Sequence, residues 1–153
     1  MYLNCHSYYS LRYGTMSVET LVKQAAGKSV PALVLTDINN SMGTMDFVRA
    51  CRESGIHPIA GIEFRDGNTL LYTGIAKNNE GFRELNEFLS SCNISKTPLP
   101  PDPPPFRNAY VMYPFGRKTP SQLLDNEYLG VRPAEARQLL SSPFRHRQDK
   151  LLV

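Results

Sequence analysis

Imidazole is scarce in this chain, and that scarcity limits the chemistry open to it. The 153 residues contain three histidines, His6, His57 and His146, widely separated. Cysteine is equally sparse. Cys5, Cys51 and Cys92 form no C-x-x-C pair, which speaks against a zinc knuckle. An odd, scattered set of thiols is expected to be buried and reduced, as in a cytosolic protein. No apolar run approaches the roughly 20 residues of a membrane span. Asn4, His6 and Ser7 also interrupt the N-terminus where a signal peptide would need an apolar core. A cytoplasmic protein with no membrane partner is the expectation. The net charge of +3 is too small to argue for a nucleic-acid surface.

What the chain does have is an ordinary globular composition, 41% hydrophobic and 20% charged, at a length that suits one domain. Tyr2 to Cys5 reads as a strand. Ser17 can cap a helix in which Val18, Leu21, Val22 and Ala25 recur at helical spacing until Gly27. Ala32 to Leu35 is an apolar run without polar alternation, as expected of a strand covered on both faces. A second helix carries Phe47, Val48 and Cys51. Ile56 to Phe64 and Leu70 to Ala76 are further strands, followed by a helix with Leu85, Phe88, Leu89 and Cys92 on one face.

Residues 97–105 are dense in proline and can be neither helix nor central strand, so they read as a surface connection within one domain. Beyond them, Ala109 to Tyr113 is a strand, Pro120 to Leu124 a short helix and Tyr128 to Val131 a strand. Pro133 opens a helix to Leu140, and Asp149 to Val153 begins one more strand. About six strands alternating with helices predict an α/β fold with a mostly parallel sheet or barrel. The apolar end, Leu151-Leu152-Val153, suggests the N-terminal piece of a longer protein.

Strand C-termini share one rim in such folds. His6 follows the first strand, Asp37 ends the second and Glu63 ends the third. An imidazole and two carboxylates can therefore converge there and suit Zn²⁺, Mn²⁺ or Fe. The other reading gives each a turn or capping hydrogen bond. For Asp37, ahead of Asn39-Asn40-Ser41, the turn reading is preferred; for His6 and Glu63 both remain open. His57, before Pro58, reads as structural, and His146, between Arg145 and Arg147, as part of a solvated loop. Tyr8, Tyr9 and Tyr13 can stack on bases but read better as loop packing.

These segments carry a resemblance. His6-Ser7-Tyr8-Tyr9-Ser10, the run from Pro31 to Asp37, the run from Gly55 to Phe64, the run from Ala76 to Phe82 and the run from Tyr128 to Pro133 resemble one known domain. It is the PHP (polymerase and histidinol phosphatase) domain at the N-terminus of bacterial DNA polymerase III alpha subunits. The resemblance implies a distorted (β/α)7 barrel, incomplete in this chain, with a metal cluster at the strand C-terminal rim in metal-competent members. Carried over position by position, the first histidine of the family's H-x-H pair is Asn4 and the second is His6. The later acidic position is Tyr13, the histidine of the T-D-H triplet is Ile38, and the glutamate of the G-x-E triplet is Glu63. Asp37 matches the triplet's aspartate, which is not usually a direct ligand.

The ligand set is thus depleted, because a metal-bound hydroxide needs about three protein ligands and an open position. The resemblance implies a structural and docking domain of a DNA-directed DNA polymerase, with no cofactor expected in this piece and Mg²⁺ serving the parent enzyme. Its partners would be the remainder of the alpha subunit, a proofreading exonuclease subunit, and DNA through the parent. The alternative is an active phosphoesterase or 3′–5′ exonuclease holding Zn²⁺ or Mn²⁺ on His6 and Glu63. A free-standing small phosphatase fits less well, given the polymerase-like segments.

Overall fold

Period-2 alternation sorts the strand residues onto two faces. The computed structural model describes residues 1–139 and 142–152, and it identifies what each face meets. The elements in order are β1 (Tyr2–Cys5), α1 (Val18–Gly27), β2 (Ala32–Leu35), α2 (Thr44–Glu53), β3 (His57–Asp66), β4 (Thr69–Ala76), α3 (Asn79–Ser95), β5 (Ala109–Pro114), β6 (Glu127–Gly130), α4 (Ala136–Leu139) and β7 (Leu151–Leu152). Among the described residues the seven strands form one sheet in sequence order.

Neighbours pair in parallel except at β3–β4 and β4–β5, so β4 alone runs against the others. The expected α/β class holds, with the seventh strand at the expected C-terminal stretch, and β3 passes straight into β4 through Gly67-Asn68. Two residues cannot make a parallel crossover, whereas Gly67, at φ +54°, accepts the left-handed backbone of a tight hairpin turn.

Smaller differences sit in the last third. Pro120–Gln122 and Pro133–Glu135 are 3-10 turns, and only α4 continues the second. Among the described residues, strand pairing at the end covers Leu151 and Leu152, because Gln148–Lys150 forms another 3-10 turn. Leu140 and Val153, expected in these elements, lie outside the described residues, as does the side chain of His146.

The helices cover one face of the curled sheet. Val18, Val22 and Ala25 of α1 and Phe47 and Cys51 of α2 pack on Leu33 and Leu35 of β2. Ser17 caps α1 by accepting from Thr20 N at 3.2 Å. Leu85 and Leu89 of α3 pack on Ile62, Phe64, Tyr72, Val111 and Tyr113. The opposite, concave face is open. Leu3, Val34, Ile59, Ile75, Tyr110, Tyr128 and Leu152 line a cavity of about 390 Å³ there. Both end strands contribute to it, so the sheet curls as part of a barrel wall. His57, at the start of β3, is exposed beside this cavity and makes its backbone contact to Pro31.

Cys51 and Cys92 are buried free thiols, but Cys5 is only half-buried, contrary to expectation, because β1 is an end strand of the sheet. Desolvation still pushes its pKa up to about 11. Residues 97–105 form no helix or strand and are mostly exposed. Asp102 from this segment pairs with Lys118 at 3.0 Å, and Lys118 lies 3.4 Å from the buried Glu127.

The start of α3 explains one of the informative segments. Asn78 caps it by accepting from Gly81 N at 3.0 Å. Glu84 accepts from Arg107 N, Asn108 N and Asn108 Nδ2 at 2.9–3.1 Å, which fixes the entry to β5. A Cβ at Gly81 would stand 1.8 Å from Asn108 O. Gly81→Ala is therefore expected to lower stability by about 1–3 kcal/mol, as overpacking against backbone does. Urea denaturation measures it, and an unchanged midpoint would contradict the expectation.

Candidate functional site

The rim is built from three strand ends and the loop after β1. Asn4 lies in β1 and His6 in the loop just past it, while Glu63 and Arg65 lie two residues apart on β3 with their side chains in contact. Past β2, Ile38 and Glu63 form an isolated parallel bridge, with Glu63 N donating to Asp37 O at 3.2 Å and Asn39 N to Glu63 O at 2.9 Å. Asn39, at φ +51°, extends this pairing with its side chain. It accepts from Arg65 N at 2.9 Å and donates to Arg65 O at 2.8 Å. The β3–β4 ladder shifts register between Phe64 and Arg65, the type of irregularity that re-aims a side chain at a rim.

Glu63 is the centre of the cluster and is fully buried. Its Oε2 accepts from Asn4 Nδ2 at 2.7 Å, and its Oε1 accepts from Arg65 Nε. His6 Nε2 lies 3.2 Å from Glu63 Oε2, but it is buried and not aligned as a hydrogen bond. Burial would raise the Glu63 pKa. The contacts with His6, Asn4 and Arg65 outweigh it and hold the carboxyl below its ordinary value. Asn4 in turn accepts from Thr36 Oγ1 at 2.7 Å, so its amide links the ends of β1, β2 and β3.

Arg65 is held from several sides. Its guanidinium carbon sits 4.3 Å from the centre of the Tyr13 ring, within cation–π range, and Nη1 donates to Asn68 O at 3.3 Å. The Tyr13 ring also meets the His6 ring edge-on, with centroids 6.4 Å apart. Arg65 thus lies between the carboxylate and the tyrosine, with its side chain 11% exposed.

Asp37 belongs to a different network. It is buried, and it accepts from Ser7 N and Ser7 Oγ at 2.7 Å and from Ser10 Oγ at 2.6 Å. Ser10 Oγ also accepts from Ile38 N at 3.0 Å. These contacts tie the loop after β1 to the end of β2.

Of the expected rim residues, then, Asn4, His6 and Glu63 meet directly. Tyr13 joins them through Arg65 and the His6 ring, Ile38 adjoins Glu63 through backbone pairing, and Asp37 is engaged by the loop serines. The Tyr8 and Tyr9 rings pack against each other with centroids 4.6 Å apart and planes tilted by 42°, and Tyr8 is exposed. Sequence reasoning missed Arg65, Thr36, Ser7 and Ser10 as contributors. The signal for Arg65 was its place two residues after Glu63 on one strand. The signal for the serines was their position beside His6 opposite a strand-end aspartate. Among the described residues, no three His, Cys, Asp or Glu side chains come together as metal ligands.

The model of one protein family, the PHP domain, matches residues 3–128. This chain belongs to the PHP domain family. The matched range includes the proline-rich residues 97–105. Among curated relatives, it is 37% identical over 94 residues to the DNA polymerase III subunit alpha of Ureaplasma parvum serovar 3, covering 61% of this chain and 10% of that protein. It is 33% identical over 98 residues to the error-prone DNA polymerase of Symbiobacterium thermophilum, covering 64% and 9%. The PHP chain thus spans about a tenth of the length of the curated relatives it matches. A solved protein from Bifidobacterium adolescentis, named as a metal-dependent phosphoesterase, matches 95% of this chain and 83% of its own at a TM-score of 0.56 and 14% identity. That likeness bears on the fold, an incomplete distorted α/β barrel of PHP type. No helix among the described residues is long and apolar enough to cross a membrane.

Proposed function

We propose that this PHP domain is part of a DNA polymerase III alpha-type enzyme and acts there as a structural and docking domain whose metal site is degenerate. One observation carries the reading: Glu63, the acidic residue at the rim, already spends both carboxylate oxygens on Asn4 and Arg65. A metal cluster needs about three protein donors besides an open position. The donors here are one imidazole and one engaged carboxylate, with a neutral amide at Asn4, so the residues present do not fit a catalytic metal. On this reading the partners are the remainder of the alpha subunit and a proofreading exonuclease subunit, and DNA is reached through the parent enzyme. Mg²⁺ would serve the parent's nucleotidyl transfer, and the protein would be cytoplasmic.

A second reading has one observation in its favour. His6 Nε2 is buried beside Glu63 without an aligned partner, as a metal-ligating nitrogen would be. It would make the chain a phosphoesterase or 3′–5′ exonuclease using Zn²⁺ or Mn²⁺. Elemental analysis of protein purified without chelator, with a phosphodiesterase assay alongside, separates the two. The expected result is well under one equivalent of zinc, manganese or iron and no turnover. One bound equivalent, lost together with activity in His6→Ala, would overturn the scaffold reading.

A further inference from the structure

Resting on that reading, we infer that Arg65 is a built-in cation that takes a metal's place at this rim. Glu63 is a fully buried carboxylate, and buried charge persists in proteins only when it is paired and hydrogen-bonded. The rim meets that need internally. Arg65 Nε donates to Glu63 Oε1, while Asn4 Nδ2 occupies Oε2 at 2.7 Å. An arginine suits this duty because its planar, delocalised charge pairs with a carboxylate and stacks on an aromatic face at once. Both occur here, with Tyr13 as the face, 4.3 Å from the guanidinium carbon.

The surroundings hold the guanidinium in place. Asn39 clamps the Arg65 backbone through two hydrogen bonds of 2.8 and 2.9 Å, and Asn68 O accepts from Nη1 at 3.3 Å. The register shift at Phe64/Arg65 falls at the point that aims this side chain. Tyr13 and Arg65 thereby act together. The ring stands beside His6 and over the guanidinium, so neither residue is an isolated surface group. A divalent ion approaching Glu63 Oε1 would have to displace a cation held by its carboxylate, an aromatic ring and a carbonyl. Besides Glu63 itself, His6 Nε2 is the donor the described residues place there to receive it.

The test replaces the charge and asks whether a metal ion can stand in for it. Arg65→Met keeps most of the stem and removes the guanidinium. Its melting temperature is expected to fall by roughly 10 °C relative to the unchanged chain, as an uncompensated buried charge requires. Excess Zn²⁺ is expected to recover a large part of that fall, and the recovery is expected to vanish in Arg65→Met/His6→Ala. The unchanged chain should show no shift with Zn²⁺ or with EDTA. Arg65→Met/Glu63→Gln removes both charges, so it should be more stable than Arg65→Met and indifferent to Zn²⁺. This variant keeps the test decisive if Arg65→Met does not fold. A stable Arg65→Met, or an unstable one that Zn²⁺ does not recover, overturns the inference and leaves the scaffold reading intact. Zinc bound to the unchanged chain with phosphodiesterase activity would overturn the scaffold reading as well.

Discussion

Asp37→Ala is expected to destabilise the domain by about 3–5 kcal/mol, because it orphans several buried donors at once. Asp37 and its two partners, Ser7 and Ser10, are each 1% exposed or less. The carboxylate takes three donors, the Ser7 amide and the hydroxyls of Ser7 and Ser10. Alanine removes the acceptor for all three while leaving them out of water, and each orphaned donor costs about 1–3 kcal/mol. The loop they anchor is tightly wound, with Ser10 N donating to Ser7 O at 2.9 Å and Gly14 N to Ser10 O at 2.9 Å. It has little slack with which to find new partners. Asp37→Asn keeps one acceptor oxygen, so its loss should be smaller. Chemical denaturation gives the free energies, and amide exchange should show protection lost first over residues 7–16. An Asp37→Ala protein within about 1 kcal/mol of the unchanged chain would mean that the loop is held by something other than this network.

The second large effect lies across the sheet. Leu85→Ala should cost about 2–5 kcal/mol, the usual range for emptying a leucine site in a core. Leu85 is fully buried in α3 and packs on β4, the strand that runs against the others. The neighbouring space is tight. A Cβ placed at Gly74 would lie 2.4 Å from Leu85 Cδ2 and 3.3 Å from Phe64 Cε2. Gly74→Ala alone should therefore destabilise by about 1–3 kcal/mol through overpacking. In the double variant the added methyl enters the space that Leu85 vacated, so the combined loss should fall short of the sum. Strict additivity in urea denaturation would show that Gly74 and Leu85 do not share that space.

Much of the fold was legible along the chain. The strand bounds expected for β1 and β2 coincide with the observed ones, and α1 begins at its Ser17 cap. These elements announce themselves through local signals, an apolar run, a capping side chain, a glycine stop. Less legible was the turn at Gly67-Asn68. It sets β4 antiparallel to its neighbours, where a mostly parallel sheet was expected. The 3-10 turns in the last third were read as helix because proline at a first turn signals a start and says nothing of length.

Sequence alone determined the order of the strands and the α/β class, because these rest on spacing within a few residues. Tertiary structure decided the partners of the rim residues. Asn4 reaches Glu63 across 59 residues of chain, and Asp37 reaches Ser7 across 30, so neither contact has a local signature. The assignment of Asp37 to the loop serines and of Arg65 to Glu63 follows from burial. Once the sheet curls and excludes water from both carboxylates, each must be satisfied by whatever donors the neighbouring strand ends bring within reach.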